Sequence, residues 1–319
     1  MKVVIARDAP QKIHKLMAAQ FPGQWDIVTL AADELIHSID DADVIIPEGA
    51  AVDEGLLRQA KSLKLIQTGA GYDNIDIDAC TQRGIWVANA AGVNARAVAE
   101  QVLAFILCWC KNTVLLDNAL KRDAFHMDYQ GAELSEKVIG IVGLGNIGRQ
   151  VARLAAAFDM RVLGYHYRPI RHQNHITMVD LPTLLKQSDI ITLHVASNRQ
   201  TRHMFAGQEF KLMKKGAFFI NTCRGAVVDE AALIEALKQN RIGGAGLDVF
   251  AAEPLPADCP LRKLDNVILS PHCAGEPDGL FFHKNRFQFF AANIKRAMAG
   301  MPPQNALNEP TENNLKWNG

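Results

Sequence analysis

The most constraining feature of this 319-residue sequence is a strand, a glycine turn and a helix written one after another. Val138-Ile139-Gly140-Ile141-Val142 is an apolar run of buried-strand type. Gly143-Leu144-Gly145-Asn146-Ile147-Gly148 follows, and Arg149-Gln150-Val151-Ala152-Arg153-Leu154-Ala155 continues as a helix. Taken alone, glycines at these intervals also describe a tight turn. Between a buried strand and a helix they form the fingerprint of a dinucleotide-binding unit, in which backbone N–H groups at the helix start face a pyrophosphate. Gly143, Leu144, Gly145, Asn146, Ile147 and Gly148 are therefore candidate cofactor contacts.

The rest of the chain repeats the same alternation of short apolar strands and helix-length segments, which predicts an α/β fold with parallel sheets. Strands are expected at Val3–Ala6, Asp26–Leu30, Val44–Ile46, Leu65–Gln67 and Ile85–Ala88. A second set is expected at Val138–Val142, Arg161–Tyr167, Ile190–His194, Ala217–Asn221, Gly244–Val249 and Val267–Leu269, the six strands of a dinucleotide-binding sheet. Asn94 to about Lys121 reads as one long helix free of Gly and Pro, and Phe281–Met298 as a helix ending at Gly300. This organisation is two doubly wound parallel-sheet domains, the second a Rossmann domain inserted into the first. The expected boundaries are 1–96 plus 280–319 for the substrate domain and 97–279 for the dinucleotide-binding domain.

A chain of this length exceeds what one core organises, consistent with two domains. Lys plus Arg (34) equal Asp plus Glu (34), so no overall field attracts nucleic acid or an anionic membrane. The longest apolar run, Val102–Cys110, is too short for a bilayer, and the start of the chain has no signal-peptide pattern; a cytoplasmic location is expected. Six scattered cysteines show no metal-ligand spacing, so no metal is expected, and Cys108 and Cys110 read as small core residues.

Specificity for the unphosphorylated dinucleotide normally requires a carboxylate at the end of the second strand, about 20 residues after the glycines. Here that strand reads Arg161-Val162-Leu163-Gly164-Tyr165-His166-Tyr167-Arg168, and no Asp or Glu occurs from Arg161 through Val179. His166 occupies the acid's place, Tyr167 follows it, and Arg168 or Arg171 can grip a 2′-phosphate. Alternatively, these arginines are solvated loop cations. The expectation is NADP(H) preferred, with NAD(H) possible.

From Met213 the sequence runs Lys214-Lys215-Gly216-Ala217-Phe218-Phe219-Ile220-Asn221-Thr222-Cys223-Arg224-Gly225-Ala226-Val227-Val228-Asp229-Glu230. With Gly69-Ala70-Gly71-Tyr72-Asp73-Asn74-Ile75-Asp76, Val98-Ala99-Glu100, Leu247-Asp248-Val249-Phe250-Ala251-Ala252-Glu253-Pro254 and Ser270-Pro271-His272, it resembles the D-isomer-specific 2-hydroxyacid dehydrogenases over about Asp43 to Gly300. The resemblance implies Arg224, Glu253 and His272 as the catalytic set. Arg224 suits a substrate carboxylate and its adjacent carbonyl. His272 suits a general acid in reduction and a base in oxidation, and Glu253 suits orientation of the imidazole. The resemblance further implies that Ala70 and Gly71 bind the substrate carboxylate through their backbone, that Asp248 lies near the nicotinamide carboxamide, and that Cys223 lines the cofactor wall.

Val195-Ala196-Ser197-Asn198 after His194, and Cys273-Ala274-Gly275-Glu276-Pro277-Asp278 after His272, depart from many relatives, so side-chain specificity does not transfer. The expected activity is NADPH-dependent reduction of a small 2-keto acid of the glyoxylate, hydroxypyruvate or pyruvate type, and the resemblance implies a homodimer. The alternatives are an NAD-dependent D-2-hydroxyacid or phosphite dehydrogenase and, from another class, a nucleotide-sensing corepressor-like protein.

Overall fold

The computed structural model describes residues 1–122, 124–125, 131–168, 175–276 and 280–310. The chain divides into two compact units, one of Met1–Val93 with Pro277–Gly319 and one of Asn94–Glu276.

The first unit is built on β1 (Lys2–Ala6), β2 (Asp26–Leu30), β3 (Val44–Ile46), β4 (Leu65–Thr68) and β5 (Trp86–Asn89). All pair in parallel, in the order β2-β1-β3-β4-β5. Both faces of this sheet are covered, which explains why its inner strands are continuously apolar rather than alternating. Val4, Ile45, Ile66 and Val87 pack to one side with Leu35, Leu57 and Cys80. Val3, Ile5, Val44, Ile46 and Leu65 pack to the other with Met17, Phe287, Phe290 and Ile294. The last three belong to the helix Leu280–Met298, which the sequence predicts almost to the residue. A buried polar pair, Asn293 Nδ2 donating to Gln67 Oε1 at 2.6 Å, fixes that helix against β4. The strand order reverses between β1 and β3, and at such a switch point the carboxyl ends of the strands open a crevice.

The second unit contains β6 (Val138–Val142), β7 (Arg161–Tyr165), β8 (Thr177–Met178), β9 (Ile190–Leu193), β10 (Phe218–Asn221), β11 (Gly244–Leu247) and β12 (Val267–Leu269). They form one parallel sheet in the order β12-β11-β10-β9-β6-β7-β8, with the switch point between β6 and β9. A cluster including Phe205, Phe210 and Phe219 fills one side, and one including Phe105, Ile106, Ile139 and Val151 the other.

Several expectations are corrected. The sheet has seven strands among the described residues, because the two-residue Thr177–Met178, exposed and too short for a hydrophobic pattern, adds an edge to β7. The strands expected at Arg161–Tyr167 and Gly244–Val249 end at Tyr165 and Leu247. The long helix is two, Ala95–Cys110 and Thr113–Leu120, bent by 58° where Asn112 turns left-handed at φ 56°; Asn tolerates this conformation, so no Gly or Pro marks the break. Cys110 is buried as expected, whereas Cys108 is half-buried. No single helix among the described residues is long and apolar enough to cross a membrane.

Candidate active site

Strand β6 delivers the chain into Gly143, whose φ is +97° and whose Cα faces the carbonyl of His194, the residue that follows β9 across the switch point. A side chain here would be strained by the backbone and would strike that carbonyl. The helix Asn146–Ala157 starts at Gly145 with no side-chain cap, so its first N–H groups remain available to an anion. Nothing lies within 4 Å of where a Cβ at Gly145 would stand, leaving a smooth approach to those groups. An open glycine cradle, an uncapped helix start and a switch-point crevice fit a dinucleotide pyrophosphate.

The residues after β7 close on the same turn. His166 Nδ1 accepts the Leu144 N–H at 3.2 Å, and Arg149 Nε donates to the Leu144 carbonyl at 2.9 Å. An accepting Nδ1 puts the proton of the neutral ring on Nε2, making it a donor. Desolvation first, then Arg149 and Arg168, holds the His166 pKa below the usual histidine value. The Arg168 guanidinium lies 5.0 Å from the centroid of the Tyr167 ring, which is 66% exposed. No carboxylate occurs along this stretch from Arg161 to Val179. Arg171 lies outside the described residues.

The catalytic candidates of this unit sit at the carboxyl ends of β10, β11 and β12. Glu253 is fixed by the N–H of Phe250, which donates to its Oε1 at 2.9 Å, and its Oε2 lies 2.6 Å from His272 Nδ1. The Glu253–Pro254 peptide is cis. His272 has φ 52°, a conformation uncommon outside glycine, with its N–H bonded to the Asp248 carbonyl at 2.8 Å. Asp248, 1% exposed, anchors this loop: its carboxylate accepts from the N–H groups of Cys273 and Ala274, both at 3.0 Å, and from the Ser270 hydroxyl at 2.5 Å. The structure thus places the Asp248 carboxylate on the backbone of the loop that carries His272.

Arg224 follows β10 and opens the turn Gly225–Val227, where the Gly225 Cα abuts the Phe250 carbonyl, three residues before Glu253. Its Nη1 donates to the Cys223 carbonyl at 2.7 Å. The Cys223 thiol donates to Asn221 Oδ1 at 3.0 Å, and desolvation pushes its pKa up to about 11, which keeps it protonated and unsuited to nucleophilic work.

In the first unit, Gly69, Ala70 and Gly71 follow β4. Their carbonyls accept, respectively, from Ala90 N–H at 2.9 Å, Asn89 Nδ2 at 3.1 Å and the Thr68 hydroxyl. Among the described residues, the bonds holding this turn do not use the N–H groups of Ala70 or Gly71, which remain as donors. Arg149, which clamps the Leu144 carbonyl, is a further residue of the glycine turn, and its place directly after Gly148 is its signal in the sequence.

Comparison with known proteins gives one consistent result. The D-isomer specific 2-hydroxyacid dehydrogenase NAD-binding domain matches residues 103–274. The chain is 38% identical over 296 residues to a D-3-phosphoglycerate dehydrogenase of Methanocaldococcus jannaschii, covering 90% of this chain and 56% of that protein. It therefore spans about half the length of that relative. It is 36% identical to a glyoxylate reductase of Korarchaeum cryptofilum, covering 97% of this chain and 96% of the relative. Among solved structures, an acyclic imino acid reductase in complex with NADPH and D-Arg is similar at a TM-score of 0.85 and 31% identity, covering 97% of this chain and all of that one.

Proposed function

This chain belongs to the D-isomer-specific 2-hydroxyacid dehydrogenase family, and we propose that it reduces a small 2-keto acid, of the glyoxylate, hydroxypyruvate or pyruvate type, with NADPH as the preferred donor. The observation that carries the reading is the Glu253–His272 pair at 2.6 Å, held on a loop that Asp248 anchors. Reduction of a ketone needs a proton donor for the oxygen that develops negative charge, and an oriented imidazole supplies it near neutral pH. Glu253 accepts from Nδ1–H, which leaves Nε2 as the atom that gives up the proton. The Arg224 guanidinium and the N–H groups of Ala70 and Gly71 are the donors we assign to the substrate carboxylate.

When bound, the nicotinamide supplies the hydride. Gly143, Leu144, Gly145, Asn146, Ile147 and Gly148 would hold the dinucleotide's pyrophosphate, Cys223 and Asp248 would border its nicotinamide end, and His166, Tyr167 and Arg168 its adenosine end. Preference for the phosphorylated form rests on two features of β7 and its sequel: a ring donor where an acid would repel phosphate, and an exposed guanidinium beside it. A homodimer in the cytoplasm belongs to the same proposal. The helix Thr113–Leu120 has no buried residue, and Val114, Leu115 and Leu120 remain exposed for a second copy to cover. Steady-state turnover across a panel of 2-keto acids with each cofactor tests the reading. Comparable turnover with no member of the panel, or a clear NADH preference, counts against the substrate class and the cofactor respectively.

A further inference from the structure

Outside the residues already assigned, one carboxylate of the first unit is left half used. Glu48 follows β3 and Arg7 directly follows β1, so both stand at the carboxyl edge where the strand order reverses, the place at which open α/β sheets take their ligands. The residue as a whole is partly exposed, yet its side chain turns inward and is 2% exposed. Arg7 Nη1 donates to Glu48 Oε2 at 3.0 Å, and Arg286 Nη2, from the helix Leu280–Met298, reaches the same oxygen at 2.6 Å. The other oxygen, Oε1, is also buried and has no hydrogen-bond partner among the described residues.

An ion pair that serves the fold alone gains most by engaging both carboxylate oxygens, because a buried oxygen without a donor gives up its hydration for nothing. With both guanidinium contacts on Oε2, Oε1 is a fixed acceptor that calls for an O–H or N–H from outside the protein. A neutral hydroxyl meets that need without adding a charge to a buried site. Arg286 shows where such a donor would come from. A Cβ at Gly69 would collide with its Nη2, so the guanidinium that fixes Oε2 also lies against the start of the turn Gly69-Ala70-Gly71. Glu48 therefore stands one guanidinium group away from that turn. Nothing lies within 4 Å of where a Cβ at Gly49 would stand, so open space begins at the residue after Glu48.

We infer that Glu48 is a specificity-determining residue whose Oε1 accepts the hydroxyl hydrogen on C3 of a 3-hydroxy-2-keto acid, of which hydroxypyruvate is the smallest. Arg7 and Arg286 are positioning residues that hold the carboxylate by its other oxygen. The inference rests on the 2-keto acid reading above and narrows it: hydroxypyruvate pairs the buried oxygen, whereas pyruvate and glyoxylate leave it unpaired. A site built to hydrogen-bond a substrate hydroxyl rejects the analogue lacking it far more strongly than an apolar site rejects a missing methylene.

The test has a kinetic arm and an equilibrium arm. In the first, kcat/KM with NADPH is measured for hydroxypyruvate, pyruvate and glyoxylate, and wild type is expected to favour hydroxypyruvate over pyruvate by about 10²-fold or more. In the second, D-glycerate, D-lactate and 3-fluoro-D-lactate are titrated into the NADPH-loaded protein, where no hydride can be taken up. D-glycerate is expected to bind at least about tenfold tighter than the other two, since fluorine matches the hydroxyl in size but cannot donate. Glu48→Gln keeps the shape and offers its carbonyl to the guanidinium groups, placing an NH2 group where the acceptor stood; it is expected to shrink the hydroxypyruvate-to-pyruvate ratio by about tenfold or more. A merely structural Glu48 would lower both substrates by the same factor, and that result overturns the inference. Should Glu48→Gln not fold, the wild-type titrations decide: D-glycerate within about threefold of D-lactate or of 3-fluoro-D-lactate overturns the inference. In either case turnover of pyruvate or glyoxylate leaves the 2-keto acid reading intact. A wild-type protein that turns over no 2-keto acid overturns both.

Discussion

Oε2 of Glu253 lies 2.6 Å from Nδ1 of His272, while Oε1 of the same carboxylate is held by the N–H of Phe250 at 2.9 Å. The carboxylate is thus fixed to its own loop by one oxygen and sets the imidazole with the other. Glu253→Gln keeps the shape but presents either an oxygen or an NH2 group to Nδ1, so the tautomer is no longer dictated. We expect kcat to fall on the order of 10²-fold, with the NADPH dissociation constant unchanged in a fluorescence titration. Wild-type kcat in this variant would show that His272 does not depend on Glu253.

Arg224 opens the turn after β10, and its guanidinium is the planar donor of the proposed catalytic set. Arg224→Lys keeps the charge and loses the two-point grip that orients a carboxylate and its carbonyl together. KM for the 2-keto acid should rise and kcat should fall in the same variant, and initial-rate kinetics read both. Unchanged parameters would make Arg224 structural.

The cofactor preference is tested where His166 meets Leu144. Asp can accept the Leu144 N–H as His166 Nδ1 does, so His166→Asp should preserve the turn while supplying an acceptor for ribose hydroxyls and repelling a phosphate. We expect kcat/KM to rise for NADH and fall for NADPH. Arg168→Ala should weaken NADPH selectively. Equal losses with both cofactors would contradict the reading of this strand.

His194 is the neutral histidine under the switch point: desolvation holds its pKa down to about 3, and Nε2 lies 3.0 Å from the Thr192 hydroxyl. An unfolded chain binds a proton at this residue below its ordinary 6.5, whereas the folded one resists it down to about 3. Stability therefore falls as pH drops through that window, by up to about 1.4 kcal/mol per pH unit for this one group. Thermal unfolding of His194→Gln across the window should show a shallower loss of Tm than wild type. An identical slope would mean that His194 does not carry the acid sensitivity.

Much of this was legible in the sequence because continuously apolar strands such as Val138–Val142 and Val44–Ile46 can only be doubly covered, and because the glycine turn follows one of them directly. Legibility failed where the deciding contact is tertiary. Asn112 breaks a helix without a breaker residue, and Thr177–Met178 becomes a strand only because β7 offers it an edge. The role of Asp248 as anchor of the His272 loop depends on N–H groups 25 and 26 residues away.

The central claim, that His272 donates the proton during NADPH-dependent reduction of a 2-keto acid, is tested most directly by comparing wild type with His272→Asn in two measurements on the same samples: NADPH binding, and the rate of NADPH oxidation with glyoxylate or hydroxypyruvate. The account predicts equal NADPH binding and a loss of turnover of about 10²- to 10⁴-fold. Turnover by His272→Asn within about threefold of wild type would contradict it.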